Sequence, residues 1–529
     1  MKFGQFISVI LIAAIVGIAS NFAYSYLSTE KKNVDEIKFE EFLDENWETT
    51  LEKSPYFASL LGDKRYDDKV SSNSVADFYD NRDYEEYVLK VLDSINSDNL
   101  SEENQLNYRL LKLDYEVSLE GRKYPSFYMR LNQRGGVQDY YDYGNRLNFT
   151  TESDYLNWFE RVKGYTQNVK NSLINNREGL SKGYTQPRLV SEGVVSQIES
   201  LLDAEIDSHP YLRVFLGSEE VLGKDDAQEL ISEVKTYILE ELNPAYQELA
   251  TFLRDEYLPQ SRAGIGIKEV PNGREWYEYL ARYHTTTDLT PDEIHEIGLQ
   301  EVARIRSEME DVMESVAWEG DFRSFLEFLR TDPQFYYETG EELLDAYRAM
   351  SKKIDAYMPT LFNKLPRAPY GVIPIPMESA PFTTTAYYNA PSAGRPGYFY
   401  ANLYKPETRP KYEIPVLTVH EAVPGHHHQI SLAQELENVP NFRNYLSFTA
   451  FVEGWGLYSE QLGESMGLYE DPYDKIGQLT YDMWRAIRLV VDTGMHYKDW
   501  TRDDAINLFL ENTAKTQQDI ENEVDRYIA

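Results

Sequence analysis

The pattern of hydrophobic and polar positions changes character several times along the chain. Phe6 to Ala19 is an almost unbroken apolar run, FISVILIAAIVGIA, set between Lys2 and the next charged residue, Glu30. From about residue 33 to 260 the pattern is helical, polar and Tyr-rich, with turn signals such as Asn-Gln-Arg-Gly-Gly at 132–136. Thr290-Pro291-Asp292-Glu293 then predicts a helix start: Thr caps, Pro suits the first helical position, and Glu completes a capping box. Apolar residues follow at Ile294, Ile297, Val302, Ile305, Met309 and Val312, one buried stripe of helical spacing. Between Pro359 and Pro424 prolines are too dense for long helices, and Tyr398–Tyr404 (YFYANLY) reads as a strand. Helical pattern resumes near Pro415 and runs to the end. The expected fold is mainly α, with a small β-sheet inserted just before a histidine cluster. The expected division is 1–29 as a leader, 30–260 as an N-terminal helical lobe and 261–529 as a second lobe, with a cleft between the lobes.

The apolar run, its basic start and the small residues Gly17, Ala19 and Ala23 describe a secretory signal peptide. Counted through Leu27, residues 6–27 reach the length of a signal anchor. The protein is therefore expected to be exported, periplasmic or secreted, or held at the inner membrane if the signal is not cleaved.

Composition narrows the chemistry. The 529 residues include no Cys and 8 His, and 52 basic against 89 acidic side chains give a net charge of −37. Disulfides, thiolate metal sites, cysteine nucleophiles and lipid attachment to Cys are thereby excluded. So acidic a surface argues against nucleic-acid partners.

Half of the histidines lie in His420-Glu421-Ala422-Val423-Pro424-Gly425-His426-His427-His428. In His-Glu-x-x-His helices two imidazoles hold zinc and the Glu activates water. Here the second His is displaced, and an unbroken helix would point His420 and His426 about 120° apart. Pro424 and Gly425 predict a local bulge that returns His426 to His420's side. The alternative is a surface His-rich tract that collects metal without a defined site. A third ligand must be His, Glu or Asp, and Glu453 in Phe451–Tyr458 (FVEGWGLY) is the candidate, because a carboxylate in that apolar setting needs a partner. Glu460 and Glu464 read as a solvated edge. Met483–Trp500 predicts a helix with a polar stripe, Arg485, Arg488, Asp492 and His496. The stripe is either a buried ion-pair ladder or a source of groups, His496 or an Arg, for an oxyanion or a substrate carboxylate.

These segments carry a family resemblance. LTPDEIHEIG at 289–298, RPGYFY at 395–400, HEAVPGHHHQ at 420–429, EGWGLYSE at 453–460 and RLVVDTGMH at 488–496 together resemble a large bacterial family known only as domain of unknown function number 885. Its members look like helical, clam-shaped zincin-type (gluzincin-like) metallopeptidases. The resemblance implies His420, His426 and Glu453 as zinc ligands and Glu421 as general base. It also implies that the strand around Tyr398 to Asn402 borders the cleft, where a peptide could add as an extra strand. Family members continue past the segment matching 521–529, so a fragment or a shortened member is expected.

The functional expectation is an exported zinc peptidase with one Zn²⁺ per chain, acting on short or unstructured peptides. Glu421 serves as base, and His496, with Tyr387, Tyr388 or Tyr398, steadies the oxyanion; Arg485 and Arg488 are candidate substrate contacts. Two other classes stay open: an inactive zinc-containing peptide-binding protein and a metal-storage site. Oligomeric state is left open.

Overall fold

A computed structural model describes residues 33–377 and 379–529; the signal or anchor read at 6–27 lies outside them. The described residues form two compact units, 33–49 with Asp83–Leu119, and Thr50–Arg82 with Glu120–Ala529. The smaller is built from segments of three helices, α1 (Val34–Lys53), α2 (Val75–Asp93) and α3 (Glu102–Gly121), around the buried Phe39, Val88 and Leu92. The larger holds every candidate residue named above.

In the larger unit one core surrounds α4 (Glu152–Lys182), α5 (Arg188–Leu202) and α6 (Asn243–Phe252). Its tyrosines are buried because their hydroxyls find partners inside: Tyr211 and Tyr246 pair at 2.8 Å, and Tyr246 also donates to the Val137 carbonyl. Beyond it come α7 (Gly273–Thr285) and α8 (Pro291–Ser315). The predicted capping box opens α8: Glu293 N–H donates to Thr290 Oγ1 at 3.2 Å, and Thr290 N–H donates to the Glu293 carboxylate at 2.9 Å. Of the predicted stripe, Ile294, Val302, Ile305 and Met309 are buried, while Ile297 is exposed. The stripe runs instead through Gly298, where a Cβ would press on Val490 and Leu489. That absence of side chain lets α8 lie close against a second 25-residue helix, Pro472–His496.

The proline-rich region holds three strands where one was predicted. After α9 (Gly340–Asp355) come β1 (Tyr370–Pro374), β2 (Ala386–Asn389) and β3 (Gly397–Ala401), in the order β1-β3-β2. β3 runs parallel to β1 and antiparallel to β2, with Phe399 opposite both Val372 and Tyr388. Phe399 is fully buried and meets Tyr347 of α9 edge-on at 5.2 Å, which seats the sheet on that helix.

Next come α10 (Ile414–Glu421), α11 (His426–Gln434), α12 (Thr449–Ser465), α13 (Pro472–His496), α14 (Arg502–Asn512) and α15 (Gln517–Ile528). All eight residues of α10 are buried. A helix apolar on every side belongs in an interior, and this one carries His420 and Glu421 there at its C-terminal end. The protein is thus mainly helical with a small three-stranded sheet. Among the described residues, no helix is long and apolar enough to cross a membrane.

Candidate metal centre

The Pro-Gly break splits the histidine segment into two helices, where a bulge within one was expected. α10 ends at Glu421, the Val423–Pro424 peptide is cis, and α11 starts at His426. Gly425 N–H donates to the Val419 carbonyl at 2.9 Å, folding the chain back over the end of α10. A Cβ on Gly425 would run into the backbone oxygens of His420 and Val419, so only glycine fits. The fold-back sets the His420 and His426 rings 4.5 Å apart at 78°.

α12 supplies the rest. Glu453, Gly456 and Glu460 recur at helical spacing on one face, and the His420 ring lies against all three. A Cβ on Gly456 would overlap the ring, so the glycine is what admits it. On one side, a Glu453 carboxylate oxygen is 3.7 Å from His420 Nε2 and the other is 3.8 Å from His426 Nε2. On the other side, His420 Nδ1 donates to Glu460 Oε1 at 2.8 Å. Arg485 Nη2 reaches the same oxygen at 2.7 Å, and this sharing leaves it 3.0 Å from His420 Nδ1. The solvated edge predicted at 460 and 464 is therefore half wrong. Glu464 is exposed and paired with Lys475 at 2.5 Å, whereas Glu460 has no exposed surface.

Nitrogens of His420 and His426 and an oxygen of Glu453 all lie within 4.8 Å of one another. Tetrahedral coordination with bonds near 2.0–2.1 Å separates ligand atoms by about 3.3 Å, so adjustments of order 1 Å would close the three round an ion. The donor chemistry fits a divalent metal. Glu460 accepts a hydrogen bond from His420 Nδ1–H, which turns Nε2 towards the cluster. Burial first, then His420, holds His426 down to about 4, so it is a neutral imidazole able to donate a lone pair. Burial and Arg485 would lower His420, but Glu453 and Glu460 outweigh them and raise it to about 9, so a metal taken up at Nε2 would displace a proton held there towards Glu453. Pairing with His420 holds Glu453 down to about 2. Burial pushes Glu421 up to about 7. Glu453 is itself more open than the apolar sequence around it suggests, with 54% of its side chain exposed: it faces a cavity.

That cavity, of about 770 Å³, is lined by His420, Glu421, His426, Glu453, Tyr387 and Tyr388, among others. All four clustered histidines are buried, so the segment is not a surface tract. His427 donates Nε2–H to the Ala368 carbonyl at 3.1 Å and accepts from the Tyr388 hydroxyl at 2.8 Å. His428 packs against Phe362 and Trp455. Tyr387 stacks on Tyr400.

Several expected contacts fall elsewhere. β3 is the central strand of its sheet, so the Tyr398 segment has no free edge; of the two edge strands, β2 reaches the cavity, through Tyr387 and Tyr388. Tyr398 does not line the cavity. Asn402 is buried and donates to the carbonyls of Ala380, Thr383 and Thr384, holding the loop that precedes β2. Arg485 lines the cavity, as expected, but its Nη2 is paired with Glu460. His496 is the clearest correction: Nδ1 accepts from Ile267 N–H at 3.1 Å and Nε2 donates to the Tyr527 carbonyl at 2.7 Å. It lines a second cavity of about 890 Å³. The polar stripe on α13 is a ladder tied to its neighbours: Asp492 accepts from Tyr277 of α7 at 2.6 Å, and Arg488, like His496, is tied to α15, through Glu523 and Tyr527, while still lining the first cavity.

The same architecture occurs in solved bacterial proteins. A protein of Colwellia psychrerythraea described as a "putative lipoprotein" is 25% identical, covering 94% of this chain and 89% of its own, with a TM-score of 0.86. A "putative lipoprotein of unknown function" from Shewanella oneidensis shares the fold at 16% identity, with a TM-score of 0.69 over 93% of this chain and 89% of its own. No curated protein matches the chain. The chain belongs to the family described as bacterial protein of unknown function (DUF885), whose profile spans residues 55–529.

Proposed function

We propose that this protein is an exported zinc-dependent peptidase of zincin-like type, acting on short or unstructured peptides. The observation that carries the proposal is the convergence of His420, His426 and Glu453 beside the buried carboxyl of Glu421, all on one cavity. Zinc bound by these three residues would supply Lewis acidity, acidifying water and polarising a carbonyl. Glu421 takes the proton of the attacking water and returns it to the leaving amine, so that a C–O bond forms as the C–N bond breaks. Glu460 and Arg485 hold His420 in the productive tautomer. A peptide adds along β2, whose outer edge has no strand partner among the described residues. Export agrees with the lipoprotein descriptions of the solved relatives, and periplasmic placement with a cleaved or anchoring leader follows from residues 6–27. Burial of His427 and His428 in other contacts leaves metal storage without support.

Metal analysis and hydrolysis test the proposal together. One tightly held zinc per chain and cleavage of members of a mixed peptide library are expected. Glu421→Gln is expected to keep the zinc and lose hydrolysis by at least about a hundredfold; a variant that still cleaves well removes Glu421 from its role.

A further inference from the structure

A surplus of positive charge stands in this cavity, although the protein as a whole carries −37. Arg134, Arg488 and Arg526 all line it and surround one carboxylate, Glu523. That side chain is only 5% exposed, and its Oε2 accepts from Arg526 Nη2 at 2.7 Å and lies 3.5 Å from Arg488 Nη2. Arg134 lies within the field of both Arg526 and Glu523. Two guanidinium groups share this one carboxylate, so the pair carries one positive charge more than Glu523 supplies in return. Arg488 and Arg526 keep 37% and 35% of their side chains exposed. Both commit Nε and Nη2, and among the described residues neither Nη1 has a hydrogen-bond partner.

Position on α13 sets the distance from the metal cluster. Arg485 shares Glu460 with His420, and Arg488 follows it by three residues, about 4.5 Å along the helix axis. An extended peptide advances roughly 3.4 Å per residue. Arg488 thus lines the same cavity as the cluster, within the field of Glu453, where the short C-terminal stretch beyond a bond held at the cluster would reach it. Guanidinium forks recognise planar carboxylates, with geometric selectivity that a point charge lacks. This pair is locked by Glu523 and so suits a carboxylate at a fixed backbone distance from the reacting bond. An acidic side chain would reach it only through several flexible bonds.

We propose that Arg488 and Arg526, with Arg134, form the subsite for the C-terminal carboxylate of the substrate, so that the enzyme releases one or two residues from peptide C-termini. This inference rests on the peptidase reading. Hydrolysis leaves the short C-terminal product with its own carboxylate on the arginines and its new amine protonated through Glu421.

The test uses the zinc-loaded full chain and matched peptides ending in a free acid or a carboxamide, each with and without Glu or Asp in the last two positions. Amidation is expected to lower kcat/KM by about tenfold to a hundredfold, and this preference is expected to shrink in Arg488→Gln, which leaves Arg526 on Glu523. If that variant fails to fold, the acid-to-amide ratio on the unchanged chain decides. Equal rates for acid and amide overturn the subsite, as does a dependence on the acidic side chain alone. The same peptides are titrated onto Glu421→Gln. Tighter binding of the free acid there supports the subsite even if the zinc-loaded parent chain cleaves no peptide, and that combination would fault the peptidase reading instead.

Discussion

One imidazole explains much of the centre at the scale of residues. His420 is gripped by three positions of α12: Glu453 at Nε2, Gly456 under the ring and Glu460 at Nδ1. A carboxylate on the far nitrogen of a ligand orients the ring and raises its basicity, and losing it commonly costs about tenfold to a hundredfold in metal affinity. Glu460→Gln is therefore expected to raise the zinc dissociation constant by about that factor, measured by chelator competition; unchanged affinity would mean Glu460 only balances Arg485. The two neighbouring glycines make a sharper pair. A methyl on Gly454 meets nothing within 4 Å, whereas one on Gly456 collides with the His420 ring. Gly454→Ala should raise stability by up to about 1 kcal/mol through helix propensity. Gly456→Ala should cost about 1–3 kcal/mol by overpacking and weaken zinc retention, both read by thermal melts with and without metal. His420, His426 and Glu453 were legible because a His-Glu pair before Pro-Gly and a carboxylate among aromatics need partners. Glu460 was not, because helical spacing alone does not say which acid faces inward. His496 misled for the converse reason: its polar stripe is real, but its partners, Ile267 and Tyr527, are distant in sequence.

Elements were read best where a local rule decides them. The capping box at Thr290 and the helical stretch from Pro415 onwards depend on nearby residues, and the structure has both. The sheet was legible only at β3. The segments Tyr-Gly-Val-Ile-Pro and Ala-Tyr-Tyr-Asn are short and sit among prolines, and they become strands only by pairing with β3. That ordering also moves the strand edge near the cavity from β3 to β2, which no local pattern could disclose. The α10–α11 junction lies between these cases: Pro424 and Gly425 announced a discontinuity, but its form depends on backbone contacts. Gly425→Ala tests it, because the obstacle is backbone oxygen, which cannot rotate away as a side chain can. A loss of at least about 2 kcal/mol is expected, together with loss of zinc, since His426 would be displaced from His420. A variant with the parental melting temperature and zinc content would show that the fold-back tolerates a side chain.

Charge acts on the molecule as a whole, and its effect on stability follows from where the acids sit. Most of the 89 acidic residues repel one another at neutral pH, so added salt should raise the melting temperature there by screening. A few carboxylates work in the opposite sense. Burial alone would raise Glu523, but Arg526 and Arg488 hold it down to about 2, against an ordinary value of 4.5. Asp154 is held down to about 2, its burial outweighed by Lys64 and by hydrogen bonds from Thr150 and Thr151. A carboxyl depressed in the folded state binds protons less readily than in the unfolded chain. Its stabilisation is complete above the unfolded value and disappears as pH falls through the folded one. For Glu523 the difference amounts to roughly 3 kcal/mol, lost between about pH 4.5 and 2. Acidification therefore has two opposed consequences, relief of surface repulsion and loss of the buried pairs, and below about pH 4 the second should dominate. The melting temperature is expected to pass through a maximum on the acid side of neutrality and then fall steeply. In Glu523→Gln the starting stability is lower and the acid limb shallower, because one of the titrating pairs has gone. Melting curves from pH 7 to 2.5 measure both slopes, and a limb as steep in the variant as in the parent would place the acid sensitivity in other carboxylates.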